Sequence, residues 1–280
     1  MQPPILTPNL TTNTPNMADT PIASSSASGT HLVLIPSYNP GAIVLETVRA
    51  ARQHWCPVWV VIDGSTDESP ALLQSLAAQD DGLHILTLPR NSGKGAAVLH
   101  GLQHAARQGY THVLTMDSDG QHPAALIPAF MHASQAQPRA MVLGVPVFDA
   151  SAPRARVYGR KISNFWAQFE TLWHGIGDSL YGFRVYPIAP LMRIMQNQHW
   201  MRRFDFDPEA AVRMAWAGVP ACNIQAPVRY LDTAQGGVSH FQYLRDNVLL
   251  TWMHLRLLAG FIVRLPWLLY RKLCARRAAP

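Results

Sequence analysis

The chain has 280 residues, 48% hydrophobic and 14% charged, with a formal net charge of +6. That is enough apolar material for a sizeable core, which excludes a disordered chain and favours one large α/β domain with appendages. The three cysteines, Cys56, Cys222 and Cys274, are widely spaced and form no Cys-x-x-Cys, so neither a disulfide framework nor a structural zinc site is indicated and a reducing compartment fits best.

Residues 1–30 are rich in Pro, Thr, Asn, Ser and Ala, too poor in large apolar groups to order themselves, and read as a tail. They show no basic start followed by an apolar core, so a secretory signal is not expected and the catalytic part should stay cytoplasmic. From His31 strands and helices alternate. His31 to Ile35 is an apolar run stopped by Pro36-Ser37-Tyr38-Asn39-Pro40-Gly41, and the stretch to about His54 has helical spacing at Ile43, Val44, Val48 and Ala51. Val58 to Ile62 is a second strand, ended by Asp63-Gly64-Ser65-Thr66-Asp67, with a helix expected over Pro70 to Ala78. His84 to Leu88 is a third strand, the loop Pro89 to Gly95 follows, and Ala96 to Gln108 is helical. His112 to Met116 is the fourth strand. Such alternation predicts a mostly parallel sheet with right-handed crossovers, whose ligands bind beyond the strands' C-terminal ends, where all these polar loops fall.

The fourth strand runs into Asp117-Ser118-Asp119-Gly120-Gln121-His122-Pro123. Two carboxylates one residue apart at a strand end share one edge of the sheet, because side chains alternate with a period of two. The pair suits a hard cation, Mg²⁺ or Mn²⁺, that keeps part of its shell for substrate phosphates, which implies a nucleotide-linked substrate. An isolated Asp-x-Asp more often only caps a turn or helix; here two other polar loops lie beside it.

Four blocks occur in order: Ile35 to Asn39, Val61 to Asp67, Asn91-Ser92-Gly93-Lys94-Gly95-Ala96-Ala97, and Asp117 to Pro123. Together they resemble the signature of the family 2 inverting glycosyltransferases. The Gln121-His122-Pro123 ending is similar to the dolichol-phosphate mannose synthase and polyprenyl-phosphate glycosyltransferase group. The resemblance covers about residues 31–230 and implies a glycosyltransferase A fold: α/β, a mostly parallel nucleotide-binding sheet flanked by helices. It places Pro36, Tyr38, Asn39 and Asp63 on the base and ribose side, and Asn91 to Gly95 in a glycine-rich loop over the nucleotide with Lys94 as a mobile positive charge. Asp117 joins the donor site, and Asp119, Asp117 and Gln121 become metal and diphosphate positions, with His122 structural. Arg160-Lys161-Ile162-Ser163 is similar to the acceptor-phosphate segment, and Asp178 to Arg184 to a further block that puts Arg184 near the same phosphate, with Tyr181 where the group has Ser. Phe204-Asp205-Phe206-Asp207-Pro208-Glu209 resembles the segment closing the cleft, so Asp207, Asp205 and Glu209 are the candidate bases toward an acceptor hydroxyl. Capping of the following helix, expected over Ala210 to Trp216, is an equally good use of Asp207 and Glu209.

The chain also departs from the group. Ile62-Asp63 stands for paired aspartates, Pro40 for a Glu, and Gly144-Val145-Pro146 for a Gly-Ser-Arg expected after the fifth strand. Donor base and sugar therefore stay open, as does the alternative of a catalytically degenerate, membrane-associated binding partner. A sugar-1-phosphate nucleotidyltransferase would need a Gly-rich basic loop after the first strand, and an oxidoreductase a Gly-x-Gly-x-x-Gly there; neither is present. Downstream of a strand-like Ala226 to Tyr230, His240 is a further candidate metal contact. The catalytic domain is expected over 31–240.

The positive balance points to an anionic partner. Arg271, Lys272, Arg276 and Arg277 adjoin an apolar, Trp-rich stretch from Asn247 to Leu273, and no zinc-finger or RNA-recognition signature occurs, so an anionic membrane surface is expected rather than nucleic acid. That stretch is interrupted by His254, Arg256, Arg264 and Pro266. A spanning helix is thus disfavoured, and 241–280 is expected to form one or two amphipathic, basic helices in the inner interface of the cell membrane. The expectation as a whole is a metal-dependent transfer of sugar from a nucleotide-diphosphate sugar to a lipid or polyprenyl-phosphate acceptor.

Overall fold

The structure, a computed structural model, describes residues 27–148, 154–228 and 243–278. Seven strands form one sheet: β1 (His31–Ser37), β2 (Val58–Asp63), β3 (Leu83–Leu88), β4 (His112–Thr115), β5 (Met141–Val147), β6 (Arg184–Pro187) and β7 (Ala221–Pro227), in the spatial order β3-β2-β1-β4-β6-β5-β7. The eight α-helices among the described residues are α1 (Ile43–His54), α2 (Ser69–Ala77), α3 (Lys94–Arg107), α4 (Ile127–Ala136), α5 (Arg154–Glu170), α6 (Ile188–Gln196), α7 (Phe206–Trp216) and α8 (Tyr243–Ala278).

The alternation of side chains along buried strands divides the core into two layers. Leu32 and Leu34 of β1 join Ala97, Val98 and Leu102 of α3, Leu191 of α6 and the inner face of α7 on one side. Val33 and Ile35 join Val44 and Val48 of α1, Leu73 of α2 and Phe130 and Met131 of α4 on the other. Both faces being covered explains why the strands read as continuous apolar runs.

β1 pairs in parallel with β2 on one side and β4 on the other. Chain order runs outward from β1 to β3 and then returns to β4, so β1 and β4 flank the point where the winding reverses. Loops leaving their C-terminal ends part there and open a crevice.

Several expectations need correction. The helix expected over Pro70 to Ala78 is Ser69–Ala77, and that expected from Ala96 starts at Lys94, so the glycine-rich segment is already the first turn of α3. Gly144, Val145 and Pro146 lie inside β5 rather than after it, and the strand expected over Ala226 to Tyr230 is Ala221–Pro227, with 229–230 outside the described residues. β6, antiparallel to both β4 and β5, is an additional strand. Of the residues expected in the tail, those described are tied to the domain: Ser28 N–H donates to the Cys56 carbonyl and the Thr30 carbonyl accepts from Thr111 and His112.

The C-terminal stretch is one 36-residue helix with Pro266 inside it, and its segment Val248–Cys274 is long and apolar enough to cross a membrane by length and composition. The expectation that the interruptions disfavour a span is therefore revised on those two grounds alone. Met253, Leu257, Phe261 and Leu268 are buried against the domain, whereas Val248, Trp252, Leu255, Ile262, Val263, Leu269, Tyr270 and Leu273 face outward. Arg271 donates to the Ala215 and Trp216 carbonyls at the end of α7, and Lys272 donates to the Leu172 carbonyl. The helix is strapped along the domain for most of its length.

Candidate active site

The crevice between the ends of β1 and β4 holds the two carboxylates. Asp117 lies two residues beyond the end of β4, its N–H donating to His122 Nδ1 at 3.0 Å, and Gln121 N–H donates to Asp119 Oδ1 at 3.0 Å. Gly120, at φ 74°, makes the left-handed turn that brings 121 back to 119. Buried His122 therefore shapes the loop, in the structural role expected of it.

Lys94, on the first turn of α3, reaches across. Its Nζ lies 2.6 Å from Asp117 Oδ1 and 2.7 Å from Asp207 Oδ2. The second carboxylate stands at the N-terminal turn of α7, 113 residues later in the chain. Space for the ammonium depends on Gly182, where an added Cβ would stand 2.6 Å from Nζ and 3.0 Å from Asp117 Oδ2. Thr115 Oγ1 fixes that glycine by donating to its carbonyl at 2.9 Å.

Electrostatically the pair is divided. Burial pushes the Asp117 carboxyl upward, but the positive charges around it, Lys94 first and then His122 and Arg184, together outweigh it and hold the group below the usual carboxylate range. Asp119 is raised, first by burial and then by the charge of Asp117. Burial opposes the charge on Lys94, yet its two carboxylate partners keep it firmly protonated.

Among the described residues no three His, Cys, Asp or Glu side chains gather into a ready-made metal set. Two oxygen-bearing side chains on one loop fit Mg²⁺ or Mn²⁺ only as part of a shell that substrate oxygens complete. One further oxygen, Asp207 Oδ1, is buried without a hydrogen-bond partner, which marks this cluster as polar beyond its own internal needs.

The other expected residues separate into those at the crevice and those used as framework. β1 runs on through Pro36 and Ser37, which pair with Val61 and Ile62 of β2, so Pro36, expected to stop the strand, is part of it. Tyr38 and Asn39 lie in the loop after β1, where Thr66 N–H donates to Asn39 Oδ1 at 2.7 Å and Asn39 N–H to Ser65 Oγ at 3.0 Å, joining the loops after β1 and β2. Asp63 is on the same edge, but both its oxygens are engaged, accepting from Ser92 N–H at 2.8 Å and Gly93 N–H at 2.7 Å. It orders the glycine-rich turn. Gln121 contributes its backbone N–H, and Arg160 is held by Asp178 Oδ1 at 2.6 Å.

Arg184 corrects the expectation of a phosphate ligand. It is fully buried and donates to the carbonyls of Tyr181, Asp178 and Asp207 and to the Tyr186 hydroxyl, a strut beneath the site. Asp205 and Glu209 are also turned away. Asp205 accepts from the N–H groups of Met201 and Arg203, and Glu209 is buried between Arg213 at 2.7 Å and Arg256 at 2.8 Å. Of the three candidate carboxylates, Asp207 alone meets Lys94, which bridges it to Asp117. His240 lies outside the described residues.

Two features had no counterpart in the expectations: the Lys94–Asp207 bridge, and a polar chain in which Glu170 Oε1, His254, Ser163 and Ser179 follow one another at 3.1, 3.2 and 3.4 Å. Neither has a local spacing signal, because each joins residues distant in the chain.

Comparison with known proteins fits this geometry. The model of the family described as glycosyl transferase family 2 matches residues 32–197. The chain is 32% identical over 170 residues to a polyprenol monophosphomannose synthase of Mycolicibacterium smegmatis, covering 58% of this chain and 63% of that one. It is 29% identical over 199 residues to a dolichyl-phosphate beta-glucosyltransferase of Trichomonas vaginalis, 64% of this chain and 59% of that one. With an undecaprenyl-phosphate mannosyltransferase of Micrococcus luteus it shares 24% identity over 219 residues, 73% of this chain and 85% of the relative. The matches thus span about three fifths of the length of the first two. Among solved structures, the glucosyl-3-phosphoglycerate synthase of Mycobacterium tuberculosis with Mn²⁺, uridine-diphosphate-glucose and phosphoglyceric acid superposes with a TM-score of 0.59 at 13% identity, covering 83% of this chain and 79% of that one. At that identity the likeness is one of fold.

Proposed function

The chain belongs to glycosyl transferase family 2, and from that premise we propose that it moves a sugar from a nucleotide-diphosphate sugar to a polyprenyl phosphate at a membrane surface. The observation that carries the reading is the Asp117/Asp119 pair at the end of β4, beside the point where the sheet's winding reverses. The polyprenol, undecaprenyl and dolichyl phosphates in the relatives' names support the acceptor class. The nucleotide sugar and Mn²⁺ of the structural neighbour support the donor and ion.

Asp117 and Asp119 would hold a Mg²⁺ or Mn²⁺ ion on the donor diphosphate, where it offsets the charge that grows on the leaving group. In a single inverting displacement, an acceptor phosphate oxygen attacks the anomeric carbon, the bond to the diphosphate breaks, and a nucleoside diphosphate leaves. The attacking group is already anionic, so no side chain needs to take its proton. Asp207 serves by holding Lys94. Arg160, oriented by Asp178, is the guanidinium for the acceptor phosphate. The outward apolar face of α8 would lie in the membrane interface at the inner face of the cell membrane, since a helix strapped to its own domain offers one side to lipid.

The test is calorimetric titration with a panel of nucleotides and nucleotide sugars, with and without Mn²⁺, on wild type and Asp119→Ala. It is paired with transfer of labelled sugar to polyprenyl phosphate in detergent. Metal-dependent binding, weakened at least tenfold in the variant, together with labelled lipid, is expected. Absence of nucleotide binding under every metal condition would overturn the reading and favour a degenerate binding partner.

A further inference from the structure

Lys94 sets one ammonium between two carboxylates of the candidate site. Its ammonium sits 2.6 Å from an oxygen of Asp117, one of the two carboxylates assigned to the cation, and its other contact, Asp207, lies in a buried part of α7. The Lys94 side chain is 14% exposed, so water does little to screen it. A divalent ion bound to Asp117 and the ammonium at its present position would repel each other at close range. Asp119 has no basic partner within ion-pair distance among the described residues and is free of this competition.

The geometry points to Lys94 as a resident counter-ion of the carboxylate pair, which makes loading of the divalent cation contingent on arrival of a diphosphate. This rests on the metal-diphosphate reading above. Lys94 neutralises Asp117 and Asp207 through its two ion pairs. When a diphosphate enters, its oxygens offer the ammonium new anionic partners within reach of a flexible four-carbon stem, and Asp117 is released to the ion. Two consequences follow from linkage. Wild type binds the ion weakly alone, and ion and diphosphate strengthen each other's binding by the same factor. Substitution of Lys94 raises affinity for the ion alone and removes most of that mutual strengthening.

The experiment measures free Mn²⁺ by electron paramagnetic resonance during titration of the full chain with Mn²⁺ alone and with saturating UDP or GDP. In wild type, the better of the two nucleotides should tighten Mn²⁺ binding at least tenfold. Lys94→Met should bind Mn²⁺ alone at least tenfold tighter than wild type and gain less than threefold from nucleotide. Since that variant leaves two buried carboxylates facing each other, the charge-matched Lys94→Met/Asp207→Asn protein is titrated as well, with the same gain expected. Equal affinity of wild type and both variants for Mn²⁺ alone would overturn the role of Lys94 while the metal reading stood, provided nucleotide still recruits the ion. Failure of every protein to bind Mn²⁺ under any condition would overturn the metal reading, and this inference with it.

Discussion

Asp207 is the residue whose substitution separates two chemistries. If the acceptor is a phosphate, Asp207→Asn removes a partner of Lys94 without removing a base, and kcat should fall by less than about tenfold. General-base catalysis for a hydroxyl acceptor is worth about 10²–10⁴, so a fall of that size in a transfer assay would exclude the phosphate acceptor. Glu209→Gln tests the neighbouring carboxylate as framework. Glu209 is fully buried between Arg213 and Arg256, and removing one member of a buried ion network costs about 3–5 kcal/mol. Denaturant unfolding should register that loss, while Mn²⁺-dependent nucleotide binding to the folded fraction stays intact. The candidate carboxylates at 205, 207 and 209 come from the resemblance of Phe204 to Glu209 to a family segment. Which of them faces the site was not legible there, because the rotation of α7 is set by Phe206, Ala210 and Met214 packing into the core. Arg184 was misplaced for a related reason. A buried arginine with three carbonyls and a hydroxyl around it has the same local sequence as one waiting for a phosphate.

The elements that could be read directly were those whose burial is visible along a continuous run. β1, β2 and β4 are buried at every position, and each ends in a polar loop, so strand, edge and Asp-x-Asp could be placed together. β6 escaped because its four residues begin with an arginine and its partners are remote. The expectation left one or two helices open at the C-terminus, and the chain stays helical through Pro266. A proline deprives only the Ile262 carbonyl of its usual donor, at a position where that side of the helix is exposed. What fastens α8 at its far end is Arg271, whose guanidinium donates to two carbonyls at the C-terminus of α7. Arg271→Ala should lower stability by about 1–2 kcal/mol, seen as a lower thermal midpoint. The outer face is a separate matter. Ile262 and Val263 are 62% and 79% exposed, so Ile262→Glu/Val263→Glu should leave stability nearly unchanged while weakening flotation with anionic vesicles severalfold. Undiminished flotation would remove α8 as the membrane contact.

At the scale of the whole molecule, the candidate site and a buried histidine pair lie at opposite ends of the same two strands. The crevice opens at the C-terminal ends of β1 and β4, while their first residues, His31 and His112, are register partners whose rings stack at 4.4 Å. His31 is buried, with Nδ1 2.9 Å from Thr30 Oγ1 and Nε2 3.1 Å from Ser134 Oγ. Burial, and then the charge of His112, lower its pKa from 6.5 to about 4. The folded state therefore holds this imidazole neutral where the unfolded chain would protonate it. The stability linked to it is complete above pH 6.5, declines as pH falls through 6.5, and is spent near pH 4, a loss of about 3 kcal/mol from this group. The chain's net charge of +6 counts its 12 histidines as neutral, so acid also adds repulsion across the molecule. Denaturant unfolding between pH 8 and pH 4 should show the decline in wild type and a shallower one in His31→Gln, whose amide can bond Ser134 without titrating. Parallel slopes for the two proteins would place the acid-sensitive group elsewhere and leave the stacked pair as packing alone.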